Sequence, residues 1–124
     1  MNYSEKTIQN KIIKDLKDRG YWVMKTQGGV AGTPIGTPDI LACDPTGKFL
    51  AIEVKKIGGK LSDEQIYQIK NLSSNWAYVY VTNDVNFVSK INQTRMISKK
   101  TTINFNTTVT YAIRDSDFYE VIYD

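Results

Sequence analysis

The first apolar positions of the chain recur with the period of a helix. They share one stripe, made of Ile8, Ile12 and Leu16. With Ser4 placed to cap the N-terminus and Gly20 just beyond the C-terminus, the stripe predicts an amphipathic helix over 4–19. At about 100° per residue, Glu5 lies within roughly 20° of Ile12, so the buried stripe of this helix includes one carboxylate.

Four stretches further along have strand character. Residues 21–27 alternate between apolar and polar positions, and 40–43 and 49–55 are mostly apolar. The continuous apolar run at 76–81 predicts a central strand that is covered on both faces. Between the first two strands, 28–38 is so rich in Gly and Pro that we expect a loop.

Two more helices are predicted. Ser62 is placed to cap a helix over 63–73, and Gln65 falls inside the apolar stripe of that helix. A buried glutamine needs hydrogen-bond partners, either in the backbone or in a functional site. A short helix is expected over 84–92. The elements follow one another as helix, three strands, helix and strand. This order predicts an α/β fold (α+β), in which helices flank a mixed sheet.

The last part of the chain predicts a C-terminal hairpin extension over about 93–124. Strand composition at 101–106 and 109–113 flanks a polar turn, and 116–123 fits either a helix or a last strand. The length allows one domain over 1–124.

Two groups of side chains in this extension have two interpretations each. A basic cluster, Arg95, Lys99 and Lys100, is either a solvated face or a contact for nucleic acid. Four apolar residues would form a dimer surface if they were exposed: Ile103, Phe105, Val109 and Tyr111.

Candidate chemistry is concentrated in the two strands at 40–43 and 49–55. Asp39 opens the first strand after Pro38, and Asp44-Pro45-Thr46-Gly47 has the residues of a tight turn. Glu53 and Lys55 share one face of the second strand, because side chains alternate. A hairpin would therefore bring Asp39 close to both. Two carboxylates at the end of an apolar sheet are suitable ligands for Mg²⁺, although Glu53 and Lys55 could instead be a solvated surface pair.

Composition narrows the possible functions. Hydrophobic residues make up 41% and charged residues 23%, values typical of a globular protein. We expect a cytoplasmic, intracellular protein with no membrane segment, because no apolar run approaches spanning length and the N-terminus lacks a signal peptide's apolar stretch. The single cysteine, Cys43, cannot form an internal disulfide and is expected to be a small core residue.

Histidine is absent, which excludes histidine-ligated zinc sites and Ser-His or Cys-His nucleophilic machinery. Catalysis would have to depend on carboxylates, lysine and metal. The net charge of +3 is uneven: residues 1–60 hold ten Lys and Arg against six Asp and Glu, whereas 61–124 hold six against seven. The basic N-terminal half favours a polyanionic partner.

Gly36-Thr37-Pro38-Asp39 followed by Glu53-Val54-Lys55 resembles the signature of PD-(D/E)XK nucleases. The GTPD form, the Gly-rich loop and a Gln-bearing helix are similar to the VRR-NUC family of that superfamily, over roughly residues 4–82. The resemblance implies a restriction-endonuclease-like core, αβββαβ, over about 4–92, and a Mg²⁺ or Mn²⁺ cofactor.

The resemblance also implies roles for individual residues. Asp39, Glu53 and the carbonyl of Val54 would bind the metal. Glu5 would bind it directly or through water, although a first-turn acid also favours the helix dipole. Lys55 would position the attacking water, and Gln65 would support the group.

Contacts with DNA are expected from basic residues and glycines near this group. The residues predicted to make them are Lys25, Gly28, Gly29, Lys56 and Lys60. The glycines would allow close approach of a phosphate to backbone N–H groups. Lys25 is equally consistent with a solvated lysine.

The resulting hypothesis is a metal-dependent DNA endonuclease. Stand-alone members of the family resemble Holliday-junction resolvases, so the resemblance implies a structure-specific enzyme that cuts branched DNA as a homodimer. Two alternatives remain: a non-catalytic nucleic-acid-binding or inhibitor module on the same fold, and a sequence-specific restriction-type endonuclease.

Overall fold

The computed structural model describes residues 2–26, 32–75 and 77–123, with the backbone alone at 94–97 and 123. The helices in these ranges are α1 (Glu5–Asp18), α2 (Asp63–Ser74) and α3 (Phe87–Lys90). The strands are β1 (Trp22–Lys25), β2 (Ile40–Cys43), β3 (Phe49–Val54), β4 (Tyr78–Thr82), β5 (Thr94–Lys100), β6 (Thr110–Arg114) and β7 (Asp117–Tyr123). None of the helices in the described ranges is long and apolar enough to cross a membrane.

The strands form one mixed sheet in the order β1-β2-β3-β4-β6-β7-β5. β3 and β4 run parallel, and the other described neighbours are antiparallel. The parallel pair places the C-terminal ends of β3 and β4 together, where Val54 pairs with Thr82. The predicted mixed sheet flanked by helices is confirmed.

Helices cover both faces of the sheet. α1 buries the predicted stripe, Ile8, Ile12 and Leu16, in a core that it shares with α3 and with residues of β2 and β3. Ser4 caps α1 by accepting a hydrogen bond from the Thr7 amide. On the opposite face, α2 buries Ile69 against residues of β4, β6 and β7. The side chain of Cys43 is only half-buried, not in the core.

The short helix near residue 84 begins later than predicted. Asp84 lies in the turn that follows β4 rather than opening a helix, and its Oδ1 accepts a hydrogen bond from the Asn86 amide at 2.9 Å. Its Oδ2 accepts one from Lys90 Nζ at 2.8 Å. The helix that follows, α3, begins at Phe87.

The position predicted for the first strand of the C-terminal hairpin is wrong. Residues 94–100, not 101–106, form β5, which pairs with β7. The segment 101–106 has strand composition, but Phe105 inserts into the core and its carbonyl accepts a hydrogen bond from the Gly58 amide at 2.8 Å. The hairpin in this region joins β6 to β7 and extends the same sheet.

The condition for a dimer surface in this region, exposure of its four apolar residues, is not met. Phe105 and Tyr111 are buried, and Ile103 and Val109 pack against the same core. Two members of the basic cluster form ion pairs across β5 and β7: Lys99 Nζ lies 3.3 Å from Asp117, and Lys100 Nζ lies 3.9 Å from Glu120. The side chain of the third member, Arg95, lies outside the described part of the chain.

Candidate active site

The β2–β3 hairpin brings Asp39 beside Glu53. Ile40 pairs with Ile52, so the residue before β2 comes opposite the residue after Ile52. Asp39 Oδ2 accepts a hydrogen bond from the Val54 amide at 2.8 Å. The backbone is held on both sides of Asp39, because Thr26 Oγ1 donates to the Pro38 carbonyl at 2.6 Å and the Thr26 amide donates to the Asp39 carbonyl at 2.9 Å.

Glu53 is an almost completely buried carboxylate, with 1% of its surface exposed. Its Oε2 accepts a hydrogen bond from Gln65 Nε2 at 3.1 Å and lies 3.9 Å from Lys55 Nζ. Its Oε1 is buried, and no donor in the described part of the chain reaches it. An unpaired buried carboxylate oxygen is costly, so this atom indicates a site for a ligand that accepts its lone pairs.

The pKa of both carboxyl groups is raised above its usual value. Burial raises the pKa of Glu53 most, the charge of Asp39 raises it further, and Lys55 opposes both, with the result that the pKa rises from 4.5 to about 9. Burial also raises the pKa of Asp39, against the hydrogen bond from the Val54 amide. A divalent cation would relieve this repulsion, so the donor set fits Mg²⁺ or Mn²⁺.

Glu5 lies near this pair without closing a three-acid cluster. The N-terminus of α1 lies at the site, because the charge of Glu5 raises the pKa of both Asp39 and Glu53. The Oε2 atom of Glu5 accepts a hydrogen bond from the Lys56 amide at 3.3 Å. No group of three or more Asp, Glu or Cys side chains among the described residues is arranged to hold a metal ion.

Lys55 is held at the junction of β3 and β4. Its amide donates to the Thr82 carbonyl at 3.0 Å, and only 8% of the residue is exposed. Behind it lies a buried polar network that the sequence analysis missed: Thr82 Oγ1 is 2.7 Å from Thr110 Oγ1 and accepts from the Asp84 amide at 3.0 Å. The signal was available, since Thr82-Asn83-Asp84 ends an apolar strand parallel to β3.

The side chain of Gln65 makes two hydrogen bonds at once, one in a helix cap and one to Glu53, and the sequence did not predict that one side chain would make both. Its side-chain Oε1 accepts from the Ser62 amide at 2.9 Å while Ser62 Oγ accepts from the Gln65 amide at 3.1 Å, a capping box at the start of α2. The amide group of the same side chain donates to Glu53. The helix cap therefore fixes the donor that supports the buried carboxylate.

The substitution Gln65→Glu separates these two functions. Glutamate preserves a capping box, but it replaces the donor to Glu53 with a further acid, so we expect it to lower the free energy of unfolding of the metal-free protein by about 1 to 2 kcal/mol. Urea denaturation in EDTA measures this change. The control is Gln68→Glu, further along α2, which should have a smaller effect. Equal effects of the two substitutions would contradict the role of Gln65.

Gly36 holds the loop before Asp39 against the start of α2. Its φ is +85°, and a Cβ atom added there would lie 2.4 Å from the backbone carbonyl carbon and oxygen of Glu64. Only glycine allows this approach. The contact explains why a glycine stands three residues before Asp39, and the sequence analysis did not identify it.

We expect Gly36→Ala to destabilise the protein by about 2 kcal/mol more than Gly47→Ala. The two positions are matched, because Gly47 also has a positive φ, +95°, but has nothing within 4 Å of an added Cβ. Thermal or urea unfolding measures the difference. Equal destabilisation would mean that the close contact with α2 has no energetic weight.

The remaining predicted contacts with DNA are less closely tied to the carboxylates. The side chains of Lys25, Lys56 and Lys60 are exposed. Gly28 and Gly29 lie outside the described residues. The exposed lysines are available to a polyanion, and the amide of Lys56 already contacts Glu5.

Comparisons with known proteins identify the family of this chain. The family model of the VRR-NUC domain matches residues 22–85, just over half of the chain. A solved structure described as a VRR_NUC domain is 26% identical and covers 72% of this chain and 94% of its own, with a TM-score of 0.62. No curated protein matches the sequence. The matched range contains Asp39, Glu53, Lys55 and Gln65, and the VRR-NUC family is one of nucleases. The chain therefore belongs to the VRR-NUC domain family.

Proposed function

We propose that this protein is a Mg²⁺- or Mn²⁺-dependent endonuclease that hydrolyses phosphodiester bonds in branched DNA. The observation that carries the proposal is the orphaned Oε1 atom of Glu53, buried beside a second carboxylate whose pKa is also raised. Burial and the charge of Asp39 make ionisation of Glu53 costly to the folded protein, and a bound divalent cation would offset that cost.

Asp39 and Glu53 would hold the ion together with the carbonyl of Val54, and Glu5 would contact it through water. When bound, the ion supplies charge stabilisation at the phosphate and lowers the pKa of a water molecule. Lys55 would orient the attacking water toward the phosphorus, because its ammonium group already lies 3.9 Å from Glu53. Gln65 holds Glu53 in one rotamer by donating to Oε2. Exposed Lys56 and Lys60 would contact phosphates on either side of the scissile bond.

A branched substrate is favoured over a linear duplex because a Holliday junction has two symmetric strands to cut. Two copies related by a two-fold axis can cut both. Trp22 and Met24 of the edge strand β1 are 59% and 44% exposed, so apolar surface is available for a second copy. A homodimer is therefore part of the proposal, and light scattering at the assay concentration tests it. A monomer that cuts both strands of a junction in one binding event would exclude it.

Cleavage assays on a four-way junction and on a linear duplex of the same sequence test the proposed activity. We expect nicking of the junction with Mg²⁺ or Mn²⁺, little cleavage of the duplex, and none of either in EDTA. Cleavage of the linear duplex at fixed sites would instead indicate a restriction-type enzyme. Binding of both DNAs without metal-dependent cleavage would indicate a non-catalytic module.

A further inference from the structure

A groove beside Lys55 is formed in part by residues outside the family match. Its volume is about 360 Å³, and it lies between the loop at 58–61, the first turns of α2 and the segment 103–106. This volume is at the lower end of the range of ligand pockets, so the groove suits one small occupant rather than a duplex.

The groove adjoins the loop that follows Lys55. The Gly58 amide donates to the Phe105 carbonyl at 2.8 Å, which joins the loop after Lys55 to the C-terminal segment. Gly59 lies against the stem of Lys55, because a Cβ atom added to this glycine would be 3.5 Å from Lys55 Cδ. Gly59 therefore both lines the groove and contacts the stem of Lys55, so the groove lies one residue away from the side chain that the proposed function assigns to the attacking water.

The lining of the groove has two chemical parts. Half-buried Leu61, Ile66 and Ile103 form an apolar floor. Exposed Lys60, Asn104 and Asn106 supply a cation and two amide groups at the rim. A nucleotide has the complementary parts: a base with apolar faces, polar base edges and a phosphate.

We propose that this groove seats one unpaired nucleotide of the DNA next to the scissile phosphate. The proposal rests on the proposed function and gives a physical basis for its substrate class. A base in a linear duplex would have to be unstacked and unpaired before it could enter, and that cost is lowest for a base that is already single-stranded. A branch point or a flap supplies such a base, so the groove favours branched DNA over an intact duplex.

Equilibrium binding tests this proposal without cleavage. A labelled duplex with a short single-stranded flap is compared, by fluorescence anisotropy in EDTA, with the same DNA carrying abasic sites in the flap. For the wild-type protein we expect removal of the bases to raise the Kd by about tenfold. Ile103→Ala removes part of the apolar floor and should lower this ratio to about threefold or less. The matched control, Ile122→Ala on β7, should keep the wild-type ratio.

The outcomes separate the groove from the proposed function. Equal Kd values of the wild-type protein for intact and abasic flaps would overturn the groove, whether or not the junction is cleaved. A ratio that is kept in Ile103→Ala would also overturn it. If Ile103→Ala does not fold by circular dichroism, the comparison of the two DNAs on wild-type protein still decides. A high ratio without cleavage in Mn²⁺ would support the groove and overturn the endonuclease.

Discussion

Asp39→Asn should reduce metal-dependent DNA cleavage by a factor of about 10³. Asparagine has the same shape as aspartate, and its carbonyl oxygen can still accept the hydrogen bond that the Val54 amide now donates to Asp39 at 2.8 Å. The variant therefore keeps the hairpin and loses one negative charge from the candidate metal site. A nicking assay on a branched substrate in Mn²⁺ measures the loss of rate.

A second measurement separates loss of metal from loss of fold. Because the ion would offset the cost of ionising the buried Glu53 beside Asp39, Mg²⁺ or Mn²⁺ should raise the Tm of the wild-type protein. The rise should be absent in Asp39→Asn. The control is Asp44→Asn in the turn at the other end of β2, where the carboxylate caps Thr46 and Lys48 amides. Asp44→Asn should keep both the Tm rise and cleavage. Wild-type behaviour of Asp39→Asn would exclude this residue as a ligand.

The part of the candidate site that could be predicted from the sequence depends on local geometry. Pro38 and the turn ending at Gly47 define a hairpin, and a hairpin with alternating side chains places Asp39 beside Glu53. The angular position of Glu5 on α1 likewise follows from the helix period. In each case the residues are close in the chain or follow a fixed period, so their relative positions can be predicted from the sequence pattern.

The parts that could not be predicted depend on contacts between distant segments. The strand β5 has weak strand composition and forms because β7 is available to pair with it, whereas 101–106 has better composition but contributes Phe105 to the core. The contact of Gly36 with Glu64 depends on how a loop meets a helix. The contact of Gly59 with the stem of Lys55 depends on how the loop after β3 folds back. Contacts of this kind, between segments far apart in the chain, cannot be predicted from a local sequence pattern.

The second large effect that we expect is on the stability of the metal-free protein, which the buried carboxyl group of Glu53 lowers. The pKa of Glu53 rises from 4.5 to about 9 on folding, chiefly because the side chain is buried and then because of Asp39. A carboxyl group of this kind contributes stability that is complete below its unfolded pKa. That contribution is lost as the pH rises toward about 9, since the unfolded chain ionises while the folded chain keeps its proton.

Glu53→Gln should therefore stabilise the metal-free protein relative to wild type, and more so at high pH. Glutamine does not titrate, can accept from Gln65 and places an amide donor near Asp39. We expect its advantage in the free energy of unfolding to grow by on the order of 3 kcal/mol between about pH 5 and about pH 8. Urea denaturation in EDTA at both pH values measures this change, with Glu64→Gln at an exposed position of α2 as the control.

An advantage that does not change with pH would mean that Glu53 is not the buried acid whose proton uptake depends on folding. If the advantage does grow, the same variant should lose cleavage and the Tm rise with Mn²⁺, because the carboxylate that destabilises the metal-free fold is the one assigned to the ion.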